Sequence, residues 1–284
     1  MLDEDNNVVS DATIERFDNY ILINSDRFEV FDKSYKVVID EFEDPDTHQK
    51  LASAAYDFTV VMPTDAIPGK GTADKPYLIY SVDHLKIINL NTKYKTKGSY
   101  LKQVDDLDLN NEEWTPITTF CGNYDGNNKK ISNLKVNNNS NAGLFNDLQR
   151  GASVQNLAIE NCDIQGYASG GLAGYGYEGD ITINNVSVTG SVKGEYNAGG
   201  LIGYLELSIY SSGDAGPVAI TNSYAKTTIE GGAQYIGGLV GYSYGYWTFV
   251  PANYVLLEKC FSDSTITSTS DYSYIGGLIG YTES

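Results

Sequence analysis

Carboxylates are the side chains here best able to do chemistry. One cluster comprises Asp105, Asp106, Asp108, Glu112 and Glu113. Glycoside cleavage uses paired carboxylates, one as acid and the other as base or nucleophile. Alternation along a strand puts Asp106 and Asp108 on one face, but no His or Arg accompanies them. Glu178, Asp180, Glu206 and Asp214 are further acids, and none stands at a pairing distance from another. The run from Asp40 to Asp46 carries the oxygen ligands that calcium takes; the same composition suits a solvated turn. Histidine occurs only as His48 and His84, so there is no His-Glu-x-x-His zinc motif. Cys121, Cys162 and Cys260 are sparse and odd in number, which is neither a disulfide framework nor a metal spacing. They read as small buried apolar side chains. Gly69-Lys70-Gly71 lacks the Walker lysine, and an extended Pro76-Tyr77-Leu78-Ile79 follows it, which argues against a phosphate loop. The residues thus assign no catalytic, cofactor or metal ligand, and calcium at the acidic run is the only ion left open.

Binding chemistry is better represented. Two stretches, about Leu205 to Pro217 and Ser243 to Tyr254, bring Tyr210, Asp214, Tyr244, Tyr246, Trp247 and Phe249. Aromatics at this density on loops stack on sugar rings or anchor a protein partner; the alternative is that they fold back onto their own surface. These six residues are the candidate ligand-binding set.

What must position them is a repeat. Ala142-Gly143-Leu144-Phe145 is followed by Gly-Gly-Leu-x-Gly-Tyr at residues 170–175, 199–204, 237–242 and 276–281. The leucines step by 28, 29, 38 and 39 residues. Periods of about 20–50 residues mark solenoids, propellers or arrays. Before each glycine pair comes an alternating run such as Val154–Ile159, Ile183–Val188, Ile220–Ala225 and Leu257–Ser262, which is a strand signature. Ile164, Val192, Ile229 and Ile266 centre a third run. Each unit is therefore several short strands, and stacking units lets every strand pair with its copy above and below. The expected fold is all-β, a right-handed parallel β-helix. Asn133, Asn156, Asn185 and Asn222 recur at one phase and predict an internal amide ladder. Tyr175, Tyr204, Tyr242 and Tyr281 predict a structural stack along one edge. Insertions at one phase emerge on one face, which places the two aromatic stretches side by side.

Residues 1–62 differ. They hold fifteen acids against five bases and no glycine, and they read as a small acidic β-rich domain with strands at Tyr20–Ile23, Phe28–Phe31, Tyr35–Phe42 and Tyr56–Met62. Residues 63–71 are a linker by composition. The β-helix occupies 72–284. Within it Ser81 is a good N-cap for a helix over about 81–91, whose stripe of Val82, Leu85, Ile87, Ile88 and Leu90 caps the open end of the stack. Asp125-Gly126 reads as a hairpin turn. The net charge of −18, with three arginines, argues against nucleic acid and anionic membranes as partners. No apolar run is long enough to span a bilayer. Met1 leads straight into acidic residues, so an export signal is absent from this chain, either removed or never present. The chain stops after a complete repeat motif, which predicts continuation of the protein or end-to-end association at that edge.

The order Gly-x-Gly-Thr, Pro-Tyr-x-Ile, helix, Asp-Leu-Asp-Leu, Trp-x-Pro-Ile, Tyr-Asp-Gly, Ile-x-Asn-Leu, Gly-Leu-Phe and then Gly-Gly-Leu-x-Gly, over Pro68 to Tyr281, resembles the GLUG-repeat family. That family includes bacterial adhesin-like surface proteins and regions ahead of the catalytic domain in immunoglobulin-A-cleaving metallopeptidases. The resemblance implies an extracellular or cell-surface β-helix used for display or adhesion, with no catalytic residue to carry over. The expected function is a non-catalytic adhesion or binding module, part of a larger protein, whose partner is a glycan or protein on a cell or matrix surface. The alternatives are a polysaccharide-degrading β-helix enzyme and a structural fibre or assembly subunit.

Overall fold

A computed structural model describes residues 13–16, 21–24, 34–39, 42–43, 48–51, 53–59, 66–138, 140–207, 216–245 and 254–283. The chain divides into two units, Met1–Thr64 and Asp65–Ser284.

In the first unit the strands pair locally and antiparallel. Thr13–Arg16 pairs with Ile21–Asn24, Ser34–Ile39 with Ala54–Thr59, and Phe42–Glu43 with Lys50–Leu51. The expected run Tyr35–Phe42 is therefore two strands. The run Phe28–Phe31 and the acidic residues 40, 41 and 44–46 lie outside the described residues, and the calcium reading lies there with them.

The second unit is built by parallel pairing between successive repeats. One sheet has 15 strands and another has five, all joined in parallel. Its longest members are Ser153–Gly170 and Thr182–Gly199, which pair with each other along most of their length. Equivalent residues fall in register. Tyr124, Val154, Ile183, Ile220 and Leu257 form one column. Val136, Ile164, Val192, Ile229 and Ile266 form another. Through Ile220 and Ile229 these side chains are at most 1% exposed. Burying each such aliphatic side chain stabilises by about 1.5–3 kcal/mol, so the columns are the source of cohesion that no single repeat has.

The repeated Gly-Gly-Leu puts leucine inward: Leu144, Leu172, Leu201 and Leu239 are fully buried. The glycines serve close approach. A Cβ on Gly171 would meet Val188 Cγ1 at 2.3 Å, although Gly171 does not need a positive φ.

The four asparagines turn out differently from expectation. Asn133, Asn156, Asn185 and Asn222 all have left-handed backbone, with φ of 57°, 54°, 55° and 50°. They are half-buried or exposed corners rather than an internal ladder. Asn tolerates this region because its short amide bonds locally. Only Asn185 donates to its predecessor, Asn156 Oδ1 at 3.0 Å; Asn156 and Asn133 turn to Asp125 and Asp108. Asp125-Gly126 is also corrected. It lies inside the parallel strand Asn123–Ser132, where Asn127 and Asn128 form a left-handed irregularity that turns a corner without reversing the chain.

Residues 65–71, within the stretch read as a linker, belong to the second unit. Ile67 is buried there, and its N–H donates to Tyr94 Oη at 3.1 Å. The helix spans Val82–Leu90, and the Ser81 hydroxyl accepts from the His84 N–H at 3.2 Å. Leu85, Ile87 and Ile88 join the core, whereas Leu90 is 81% exposed and leaves the stripe expected of it. Asn89 Nδ2 donates to the Pro116 carbonyl at 3.0 Å, which ties the helix to the first repeat. Among the described residues no helix is long and apolar enough to cross a membrane.

Candidate functional site

Among the described residues, a concave groove of about 310 Å³ is lined by Asn141, Tyr167, Ala168, Tyr175, Tyr196, Asn197, Tyr204 and Tyr242. This is within the size range of small-ligand sites, about 300–1,000 Å³. Two files of tyrosine and a floor of small residues make it.

The floor is a single register column: Asn141, Ala168, Asn197, Tyr235, Tyr274. Its first three members are small and leave the space open. The next two are tyrosines and fill it.

One wall is Tyr167 and Tyr196, whose rings stack with centroids 5.3 Å apart and planes 2° apart. Both rings are open to solvent, at 47% and 37% exposure. The other wall is the column Tyr175, Tyr204, Tyr242, which continues to Tyr281. Successive centroids in it are 5.1, 5.2 and 5.9 Å apart. That spacing is close to the ~4.8 Å between paired strands, so the ladder follows from register. At Tyr235 the two walls meet. Its ring lies edge-on to Tyr196, with planes 77° apart, and stacks on Tyr242 at 4.4 Å and 15°. The groove closes there.

Polar groups give the groove an electrostatic sense. Asn197 is 2% exposed, and its Oδ1 is sealed from solvent, groove included, without a hydrogen-bond partner among the described residues. A buried orphan acceptor costs about 1–3 kcal/mol unless something donates to it. Tyr175 donates its hydroxyl to Glu206, and Tyr242 donates to Glu283 Oε2 at 2.7 Å. Burial first, then these carboxylates, hold both phenols protonated well above the usual tyrosine range. Each phenolic oxygen, its proton committed, has only acceptor capacity left.

Of the residues singled out from sequence, Tyr244 sits at the end of strand Val240–Tyr244, paired with Glu206 and Glu283. Tyr210, Asp214, Tyr246, Trp247 and Phe249 lie outside the described residues. Leu205 and Leu207, placed in the first insertion by spacing, are buried core residues. The tyrosines read as a purely structural stack do stack, and three of them also line the groove. Tyr167, Tyr196 and Asn197 were not singled out. A signal for them exists in the sequence: Tyr167 and Tyr196 stand three residues before the glycine pair, whereas Tyr235 and Tyr274 stand two before it.

Two of the acids singled out from sequence are engaged in structural contacts. Asp180 Oδ2 accepts from Arg150 Nε at 3.1 Å and its Oδ1 from the Gly216 N–H. Asp108 accepts from Asn133 and Asn110, which hold its carboxyl below the usual range. Among the described residues no group of His, Cys, Asp or Glu is placed to hold a metal. Cys162 is buried, and its thiol is pushed up to about 12 by that burial.

The fold and groove thus define a repeat-built parallel-β domain with an aromatic cleft. No family model matches the chain. It is 30% identical over 217 residues to the immunoglobulin A1 protease of Streptococcus pneumoniae, covering 74% of this chain and 10% of that protein. To the immunoglobulin A1 protease of Streptococcus sanguinis it is 35% identical over 204 residues, 69% of this chain and 10% of the relative. A shorter stretch of 90 residues is 38% identical to halomucin of Haloquadratum walsbyi, covering 31% of this chain and 1% of halomucin. The crystal structure of a candidate immunoglobulin A1 protease from Bacteroides ovatus superposes with a TM-score of 0.53 at 18% identity, over 73% of this chain and 72% of that one. The chain is homologous to a region of the immunoglobulin A1 proteases, and these relatives fit the GLUG-repeat resemblance. It spans about a tenth of the length of those proteases.

Proposed function

We propose that this chain is a non-catalytic binding domain of a larger secreted or cell-surface protein, built as a right-handed parallel β-helix, with the tyrosine groove as its binding face. The observation that carries this reading is the groove itself. A folded domain with no partner to bind has little reason to leave the stacked rings of Tyr167 and Tyr196 open along a groove. In-register parallel pairing from repeat to repeat supports the β-helix. Similarity to a tenth of much longer proteins supports a domain role. The commitment of Asp180 and Glu206 to Arg150 and Tyr175 favours binding over catalysis.

The test is retention of the labelled chain on immobilised glycoproteins and polysaccharides, with soluble products assayed in the same vessel. Retention without product, reduced in a Tyr167→Ala/Tyr196→Ala variant that still folds, is expected. Release of product, or retention that ignores the double variant, overturns the proposal.

A further inference from the structure

We infer that the outer edge of residues 254–283 is a docking surface for one further coil of the Gly-Gly-Leu pattern, laid on in parallel and carried by the same protein. The repeated glycine gives the first reason. A Cβ on Gly171 would stand 3.1 Å from the Gly200 carbonyl oxygen of the next repeat, one on Gly200 2.4 Å from that of Gly238, and one on Gly238 2.1 Å from that of Gly277. Each of these glycines is thus required by the coil that follows it. Around Gly277 a Cβ would meet nothing within 4 Å, so no contact among the described residues calls for glycine there, whereas a following coil does. The backbone gives the second reason. The N–H of Leu172 donates to the Leu201 carbonyl at 3.0 Å, that of Leu201 to Leu239 at 2.9 Å, and that of Leu239 to Leu278 at 2.9 Å. Leu278 N–H, next in this series, has no such acceptor among the described residues. The core ends at the same place. Leu172, Leu201 and Leu239 are fully buried, but Leu278 is 37% exposed; Ile236 is fully buried, but its register partner Ile275 is 53% exposed.

Strand direction selects the occupant. Among the described residues, successive repeats pair in parallel throughout. A second copy of this chain cannot supply such a coil. Its first-repeat end is taken by the helix Val82–Leu90, which buries Leu85, Ile87 and Ile88 in the core and bonds the Pro116 carbonyl. Its other edge is this same one, and two copies of one edge meet with their strands reversed. That breaks the register in which the glycines stack. A coil of the same polypeptide is held beside the edge at high effective concentration, as the coils already stacked are. The edge is also poorly guarded against strand addition. Its strands Val255–Glu258, Phe261–Ser262, Thr265–Ser268, Tyr274–Gly276 and Ile279–Glu283 contain no proline, and their only charges are Glu258 and Glu283. The added coil must set aliphatic side chains beside Leu257, Ile266, Ile275 and Leu278, and a glycine carbonyl beside Gly277.

The experiment extends the full chain by a coil of its own. Tyr177, Glu206, Tyr244 and Glu283 share one register column, so a copy of residues 178–204, or of residues 245–281, joined after Glu283 enters in phase. Two such fusions guard against the failure of either one to fold. A fusion carrying the first segment in scrambled order is the control. The native chain and each fusion are compared by urea denaturation, by hydrogen exchange at the Leu278 amide, and by sedimentation equilibrium. The native chain is expected to be monomeric. At least one in-phase fusion should raise the urea midpoint and slow exchange at Leu278 by about tenfold or more. Gly277→Ala, made at the original Gly277 of that fusion, should abolish both gains. No gain in either in-phase fusion overturns the inference. So does an equal gain from the scrambled segment, or a gain that Gly277→Ala leaves intact. A native chain that dimerises, and is made monomeric by Leu278→Lys, also overturns it, because a second copy is then the occupant.

Discussion

Tyr235 stacks on Tyr242 with ring centroids 4.4 Å apart and planes 15° apart, joining two files of tyrosine that stand apart in the preceding rows. Tyr235 shares its register column with Asn197, one repeat earlier, where the smaller side chain leaves the groove open. A single column thus sets both the floor of the cleft and its end.

Replacing Tyr235 with Asn should extend the groove by one row. The variant loses ring contacts to Tyr196, Tyr242, Tyr274 and Tyr281. Each such pair is worth about 0.5–1.5 kcal/mol beyond area. The midpoint of chemical denaturation should fall while the fold is retained. An unchanged midpoint would show that these contacts carry no net energy.

Alkaline titration should separate the groove phenols from the rest. Burial and then Glu206 raise the Tyr175 pKa; burial and then Glu283 raise that of Tyr242. In the unfolded chain both ionise near the ordinary value of about 10. Their contribution to stability is therefore complete below about pH 10 and is lost as pH rises through the folded-state values. Tyrosinate absorbance should show a late phase, and Glu206→Gln with Glu283→Gln should move part of it earlier. A single phase unchanged by these substitutions would refute the coupling.

Two glycines of equivalent motif should respond unequally to alanine. At Gly171 the added methyl meets Val188 Cγ1 at 2.3 Å and the Gly200 carbonyl oxygen at 3.1 Å; at Gly277 nothing lies within 4 Å. Overpacking costs about 1–3 kcal/mol, so Gly171→Ala should lower the thermal midpoint clearly and Gly277→Ala hardly at all. Equal effects would contradict close approach as the reason for the repeated glycine.

The central column is expected to carry the stability of the second unit. Ile183 is fully buried between Val154 and Ile220. Ile183→Ala should cost about 2–5 kcal/mol in urea denaturation. A loss under about 1 kcal/mol would mean that the column relaxes around the cavity.

The repeat, the strand-forming runs and the Ser81 cap were legible in the sequence, because each is a local pattern: alternation, glycine spacing, or a hydroxyl at the first turn of a helix. Copies of one short pattern also name their own partners, and the columns Val154–Ile183–Ile220 and Ile164–Val192–Ile229 follow from that. Other features needed the register. Asn133 and its equivalents recur like a ladder, but backbone φ near +55° sends them to the corners. Asp125-Gly126 has hairpin chemistry, yet pairing to the next repeat keeps the strand going forward. The groove depended most on tertiary structure. Tyr196 and Tyr235 differ by one place relative to their glycines, and only inter-strand pairing turns that offset into an open row beside a closed one. A side chain's neighbours in a stacked sheet come from other repeats, 28 to 39 residues away, so the cleft between them is a property of the stack.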